Sequence, residues 1–200
     1  MRHRGESGMS LVELLVYSLL LVFVVLIAGS LLIRTLQTQR DVTTVSQTNN
    51  DALLTFGQLE RDARNAAKGK TSDGGNLLLL ATRVASDADP NTWVCVGYYY
   101  NPGTKVLRRV SSTSTTATAA AAVAGSGSAL AASTAAWPVA LEQVSLLGAR
   151  VFGTVDGTVT SGSTLDASLS TATSGTHKPV AFQTSINLRP QSGSVPACFA

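Results

Sequence analysis

A run of twenty residues without a charge, residues 14–33, constrains this chain more than any other feature of its sequence. At a rise of about 1.5 Å per residue, a helix of that length is roughly 30 Å long, which matches the hydrocarbon thickness of a bilayer. A helix buried in a soluble core normally keeps a polar stripe, and this run has none. The sequence therefore predicts a transmembrane helix half over residues 9–33.

The residues before the run are short, polar and basic, with Arg2 and Arg4. Positive charge before a first span keeps the N-terminus in the cytoplasm, so we expect a single-pass protein whose C-terminal domain lies outside the cytoplasmic (inner) membrane. A secretory signal would place a small-residue cleavage site after the apolar run, and residues 28–30 are small. The run resumes at residues 31–33, which favours an anchor over a cleaved signal.

Glu13 stands directly before the uncharged run, at a depth where an unpaired carboxylate is costly. Residues 8–13, GMSLVE, together with the basic leader and the apolar run, resemble the processing site of type IV prepilins and pseudopilins. In that family, prepilin peptidase cuts after a Gly and methylates the new N-terminus. The resemblance implies a leader peptide over residues 1–8 and cleavage between Gly8 and Met9. It also implies that Met9, which replaces the usual Phe, becomes N-methylated.

The resemblance further implies that Glu13 acts in subunit assembly. The new N-terminal amine is a cation at the membrane, and a rigid helix keeps the Glu13 carboxylate from reaching the amine of its own chain. Pairing with the amine of a neighbouring subunit would let both charges be buried and would set the register between helices. The alternative is that Glu13 only marks the membrane interface.

Residues 34–68 are predicted to continue the helix as an amphipathic half, because they contain no Pro and a single Gly. Apolar and small residues recur there at spacings of three and four, with Asn49 as a polar interruption. Gly69 and the pair at residues 74–75 predict the helix end. The stripe indicates a helix that packs on its own domain and, by the resemblance, against neighbours in a fibre.

Residues 69–200 are predicted to form an extracytoplasmic β domain with antiparallel strands packed on the helix, so the expected fold class is α+β and pilin-like. The turn at residues 101–103 predicts a hairpin. Residues 111–136 are almost entirely Ser, Thr, Ala and Gly, and are predicted to be an exposed, mobile low-complexity loop. Strands are expected at residues 77–84, 93–100, 105–110, 139–147, 150–160 and 180–188, with a weak strand at 165–170.

The tyrosines at residues 98–100 are explained by strand propensity, with an aromatic binding surface as the alternative. The arginines at residues 108–109 are interpreted as a solvated strand end. Cys95 and Cys198 are a candidate disulfide, because an extracytoplasmic domain lies in an oxidising compartment. The alternative is one buried strand cysteine and one free cysteine near the terminus.

Motifs for catalysis or metal binding are missing from the sequence: it has no His-Glu-x-x-His, no Cys-x-x-Cys and no Gly-x-Ser-x-Gly. Asp156 and Asp166 are best explained by turns, with calcium binding as the alternative. The net charge of +3 is too low to indicate nucleic acid by itself. We therefore expect a protein that is not an enzyme and holds no cofactor or metal.

By its resemblance to type IV prepilins, the chain is expected to be a structural subunit, a minor pilin of a type IV pilus-like filament. Its expected partners are prepilin peptidase, other pilin or pseudopilin subunits and the cytoplasmic membrane, with the chain moving into a pilus or pseudopilus on assembly. A minor pseudopilin of type II secretion and a competence pilin are alternatives, and only the competence system would add DNA as a partner. A membrane-anchored receptor or adhesin that never polymerises is an alternative of another class. It requires neither cleavage after Gly8 nor a role for Glu13.

Overall fold

The computed structural model describes residues 10–83, 92–112, 127–153, 157–160, 162–171, 179–190 and 198. The chain forms two compact units, Met1–Thr44 and Val45–Ala200, and the boundary between them falls inside the first helix, α1, which spans Leu11–Arg64.

The second unit carries the strands, all of which pair antiparallel. After α1 the described elements are β1 Ala66–Ser72, a 3-10 helix Asp73–Gly75, β2 Leu77–Arg83, β3 Trp93–Asn101, β4 Val106–Ser112, helix α2 Ser128–Ser133, β5 Val139–Leu141, β6 Val144–Ser145, β7 Gly157–Thr160, β8 Thr164–Thr171 and β9 Val180–Asn187. Six strands form one sheet in the order β5-β4-β3-β2-β1-β7, and three form a second in the order β6-β8-β9. The α+β fold class predicted from the sequence is confirmed.

The C-terminal part of α1 packs on one face of the larger sheet. Ala52, Leu59 and Ala63 recur at helical spacing and are buried in the main core with side chains from β2 and β3. Residues of β8 and β9 complete the same core, and Phe56 of α1 stacks on Phe182 with ring centroids 5.1 Å apart. The stripe of residues spaced by three and four is therefore the face that docks on the sheets.

The opposite face of the larger sheet has a smaller core of its own. Leu79 and Tyr99 pack there with Leu130 of α2 and with Trp137. The Trp137 ring lies directly over Gly97 of β3, where an added Cβ would come within 2.7 Å of a ring carbon. Gly97 thus provides the space beside the strand that the Trp137 ring occupies.

Helix α1 ends four residues before the predicted boundary at residue 68. The carbonyl of Asn65 accepts a hydrogen bond from the amide of Arg83, and β1 begins at Ala66. Lys68 and Gly69, expected at the helix end, instead pair with β2 on one side and β7 on the other. Ladder hydrogen bonds on both edges of β1 outweigh the local helix propensity of this segment.

In the described parts of residues 111–136, the structure has regular elements where the sequence predicts a loop. β4 continues through Ser112, and α2 forms near the other end, with Leu130 fully buried. Leu130, together with the partly buried Ala131, packs this short helix into the core that contains Trp137. Residues 113–126 lie outside the described residues.

Two predicted strands are broken up in the structure. Residues 139–147 contain the two short strands β5 and β6, which belong to different sheets. Residues 150–160 contain only β7 and an isolated bridge between Phe152 and Ala167 among their described residues. By contrast, the expected weak strand at residues 165–170 is the full strand β8 at the centre of the second sheet.

Candidate functional site

Glu13 lies in the first turn of α1 and is exposed. Its amide donates to the Ser10 hydroxyl oxygen over 3.4 Å, so Ser10 caps the helix start. The Tyr17 hydroxyl, one turn further on, donates to Glu13 Oε1 over 3.4 Å. A carboxylate in the first turn also interacts favourably with the positive end of the helix dipole.

Among the described residues, the Tyr17 hydroxyl bonds to one oxygen of the Glu13 carboxylate, and the other oxygen accepts no hydrogen bond from them. A cation reaching this turn could therefore pair with it without displacing an existing bond. The predicted cleavage position between Gly8 and Met9 lies outside the described residues. The processing site and the pairing of Glu13 with a neighbouring subunit stay predictions.

The turn that holds Glu13 leads into an apolar surface that no described part of the chain covers. The large hydrophobic side chains of residues 14–33 are half to two-thirds exposed, for example Leu21 at 66%. Helix α1 is long and apolar enough to cross a membrane. Twenty residues of this kind need either lipid or other apolar helices around them.

A second polar site, within Val45–Ala200, joins the end of α1 to the larger sheet. The Tyr98 hydroxyl donates to Asp62 Oδ2 over 2.7 Å, and Arg109 Nη2 donates to the same oxygen over 2.8 Å. Arg109 Nε also donates to the Tyr98 hydroxyl oxygen over 3.0 Å. The Asp62 and Arg109 side chains are only 10% and 20% exposed. This triad therefore satisfies a buried carboxylate and fixes the helix against β3 and β4.

Burial, and then the negative charge of Asp62 and its hydrogen bond, hold the pKa of the Tyr98 hydroxyl far above its ordinary value. Burial alone would lower the pKa of the Arg109 guanidinium, but its bonds to Asp62 and Tyr98 outweigh that effect and raise it. Tyr98 thus stays a protonated donor and Arg109 stays charged. Because Tyr98 keeps its proton and Arg109 keeps its charge, the triad suits a structural role.

A cleft of about 530 Å³ opens beside this triad. Val94 and Val96 contribute apolar side chains to it, and Arg61 and Arg109 contribute positive charge. Its other lining residues are Gln58, Asp62, Asn65, Arg83, Ser111 and Ser112.

Two sequence interpretations of this region need correction. The arginines at residues 108–109 are not a solvated strand end, since Arg109 belongs to the triad and Arg108 donates to the Trp137 carbonyl over 2.6 Å. The tyrosines at residues 98–100 are at most 3% exposed, so they form no aromatic binding surface. The missed signal is Asp62, a carboxylate three residues after Leu59 on the buried stripe of α1.

Cys95 and Cys198 are joined by a disulfide, with Cα atoms 5.5 Å apart. Both cysteines are buried against Ala81, on the face of the larger sheet opposite α1. The bridge ties residue 198 to the central strand β3 and closes a loop of about a hundred residues.

No group of three or more His, Cys, Asp or Glu in the described residues could hold a metal ion. Asp166 accepts a hydrogen bond from the Ser185 hydroxyl across β8 and β9, which gives it a role in the sheet. Asp156 lies outside the described residues.

No family model, no curated protein and no solved structure matches this chain. The features that bear on function are therefore the chain's own residues and the resemblance of its N-terminal segment to type IV prepilins.

Proposed function

We propose that this protein is a structural subunit, a minor pilin, of a type IV pilus-like filament. The observation that carries the proposal is a helix whose first half is apolar on every face, uncovered, and preceded by a carboxylate, Glu13. The same helix continues into a disulfide-closed domain. A helix of this kind can be covered by lipid or by equivalent helices of neighbouring subunits.

In the proposed assembly cycle, the apolar half of α1 is covered first by lipid and then by helices of neighbouring subunits. The chain is inserted into the cytoplasmic membrane with its β domain outside, and prepilin peptidase removes residues 1–8 and methylates Met9. On assembly, residues 14–33 exchange lipid for neighbouring helices, which costs little because both environments are apolar. Glu13 supplies the specific contact, since its carboxylate can pair with the N-terminal amine of an adjacent subunit.

Processing is tested by the intact mass and the N-terminal peptide of the membrane-extracted protein, produced together with its native peptidase. We expect a mature chain that starts at N-methylated Met9, and a Gly8→Ala variant that keeps its full leader. A wild-type chain with an intact N-terminus would contradict the proposal and favour a static anchored receptor. Cleavage near Ala28 would indicate a secreted domain instead.

A further inference from the structure

Strand β9 forms an outer edge of the second sheet, and its free side is the longest open strand edge in the described parts of the chain. β9 has eight residues, whereas the other edge strands, β5, β6 and β7, have three, two and four. Its sequence, VAFQTSIN, contains no charge and no Pro. Natural edge strands are usually protected by charges, prolines, bulges or short length, and β9 has none of these.

The hydrogen-bond pattern shows which backbone groups of β9 face outward. The amide of Leu188 donates to the Ser163 carbonyl. Because hydrogen bonding alternates along an antiparallel strand, the even-numbered residues of β9 are the ones that bond to β8. On the other edge of β8, the carbonyl of Asp166 and the amide of Ser168 bond to the segment around Phe152. The residues of β8 that alternate with them therefore bond to β9, which agrees with this assignment. The amides and carbonyls that point away from β8 are therefore those of Ala181, Gln183, Ser185 and Asn187. All four residues are exposed.

We infer that this edge pairs with the β9 edge of a second copy of the chain, in antiparallel orientation about a two-fold axis. The register that joins all four outward residues places Gln183 opposite Ser185 of the second copy, and Ala181 opposite Asn187. The same register places Phe182 opposite Ile186 on the core-facing side and Thr184 opposite itself. Phe182 thus meets an apolar residue, Gln183 and Thr184 meet polar ones, Ala181 meets the polar Asn187, and no like charges face each other.

One strand pair buries less surface than a stable interface in solution requires. Anchoring both copies in a bilayer raises their effective concentration, so the pairing is expected in membranes rather than in dilute solution. It does not depend on filament assembly, and it would hold for an anchored protein that never polymerises.

The test is cross-linking of the full chain in membranes with a short bismaleimide. In the inferred register the two Gln183 positions are diagonal neighbours with Cβ atoms about 7–8 Å apart, on the exposed face. Gln183→Cys adds the only free thiol, because the native cysteines are bridged. We expect a cross-linked dimer from Gln183→Cys and none from Thr158→Cys, an exposed position on the edge strand β7.

A proline at an outward position tests whether the cross-link reflects strand pairing or a random collision between two chains. Ser185→Pro removes an amide that faces the second copy but no bond to β8, and Ser185→Ala is its control because both variants lose the hydroxyl bond to Asp166. In the Gln183→Cys background, we expect Ser185→Pro to lower dimer yield at least five-fold and Ser185→Ala to leave it unchanged. Ala181→Pro serves the same purpose if Ser185→Pro no longer melts cooperatively.

Three results would overturn the inference. One is a Gln183→Cys dimer yield no higher than that of Thr158→Cys. Another is a dimer yield that neither proline lowers in a chain that still melts cooperatively. The third is a cross-link from residue 183 to a different protein in place of the dimer, which would mean that another chain occupies the edge.

Discussion

Over residues 14–33, α1 is apolar on every face and its side chains are exposed, whereas further along only one face is buried and the exposed faces carry polar side chains interspersed with a few apolar ones such as Leu54. Leu20 is 53% exposed, while Leu59 is 3% exposed. The same residue type in the same helix therefore serves two environments. The first stretch depends on what surrounds the protein, and the later stretch stabilises the β domain. Changes in the two stretches should accordingly affect different measurements.

The largest effect on folding is expected from the disulfide. Replacing both Cys95 and Cys198 with Ser should lower the free energy of unfolding of the β domain by about 4–5 kcal/mol, because the bridge closes a long loop. Denaturant titration of the purified protein in detergent measures this change. Membrane extraction behaviour should stay the same, since the bridge lies in the second unit. An unchanged titration midpoint would contradict the structure.

The Asp62 triad should have the next largest effect. Asp62→Ala leaves the largely buried Arg109 guanidinium without its carboxylate and should destabilise the domain by about 3–4 kcal/mol. Asp62→Leu combined with Arg109→Met removes both charges and should recover much of that loss. A double variant as unstable as the single one would argue against an ion pair at this position.

A leucine comparison tests the two stretches of α1 directly. Leu59→Ala should cost about 3 kcal/mol of domain stability, because it leaves a cavity between α1 and the larger sheet. Leu54→Ala, whose side chain is 73% exposed, and Leu20→Ala should each change it by less than about 0.5 kcal/mol. Equal losses for Leu59→Ala and Leu54→Ala would mean that the buried face is assigned wrongly.

The smallest effect concerns Tyr98 and depends on pH. Its raised pKa means that the folded protein keeps the hydroxyl proton at a pH where the unfolded chain has lost it, so stability should fall as pH rises above about 10. Tyr98→Phe should cost about 2 kcal/mol at pH 7. Above about pH 10, the stability of this variant should also fall less steeply than that of the wild type. Some pH dependence remains, because the pKa values of Tyr99 and Tyr100 are raised as well. Urea titrations between pH 7 and 11 measure both slopes.

The sequence predicts the parts of the fold that local patterns determine. The uncharged run, the stripe through Ala52 and Leu59, and the hairpin of β3 and β4 all follow from periodicity and turn residues. The end of α1 and the strand β1 could not be predicted in this way. They depend on pairing with β2 and β7, which are distant in sequence.

The two polar sites differ in the same respect. Glu13 is visible in the sequence because it stands beside an uncharged run. The triad is not visible, because Asp62 and Arg109 are 47 residues apart and come together only when β4 packs near α1. Leu130 and Trp137 were missed for a related reason, since a segment rich in Ser and Ala gives no periodic signal for the core that they complete.

Glu13 is proposed to direct this helix from lipid into a filament, and incorporation into filaments tests that proposal most directly. Filaments sheared from cells of the native host should contain the wild-type chain. A Glu13→Gln variant should be processed normally yet remain in the membrane fraction. Glu60→Gln, which changes an exposed carboxylate paired with Arg64 on the same helix, should be incorporated like wild type. Glu13→Gln in filaments at the wild-type level, or no wild-type chain in the sheared fraction, would contradict the account.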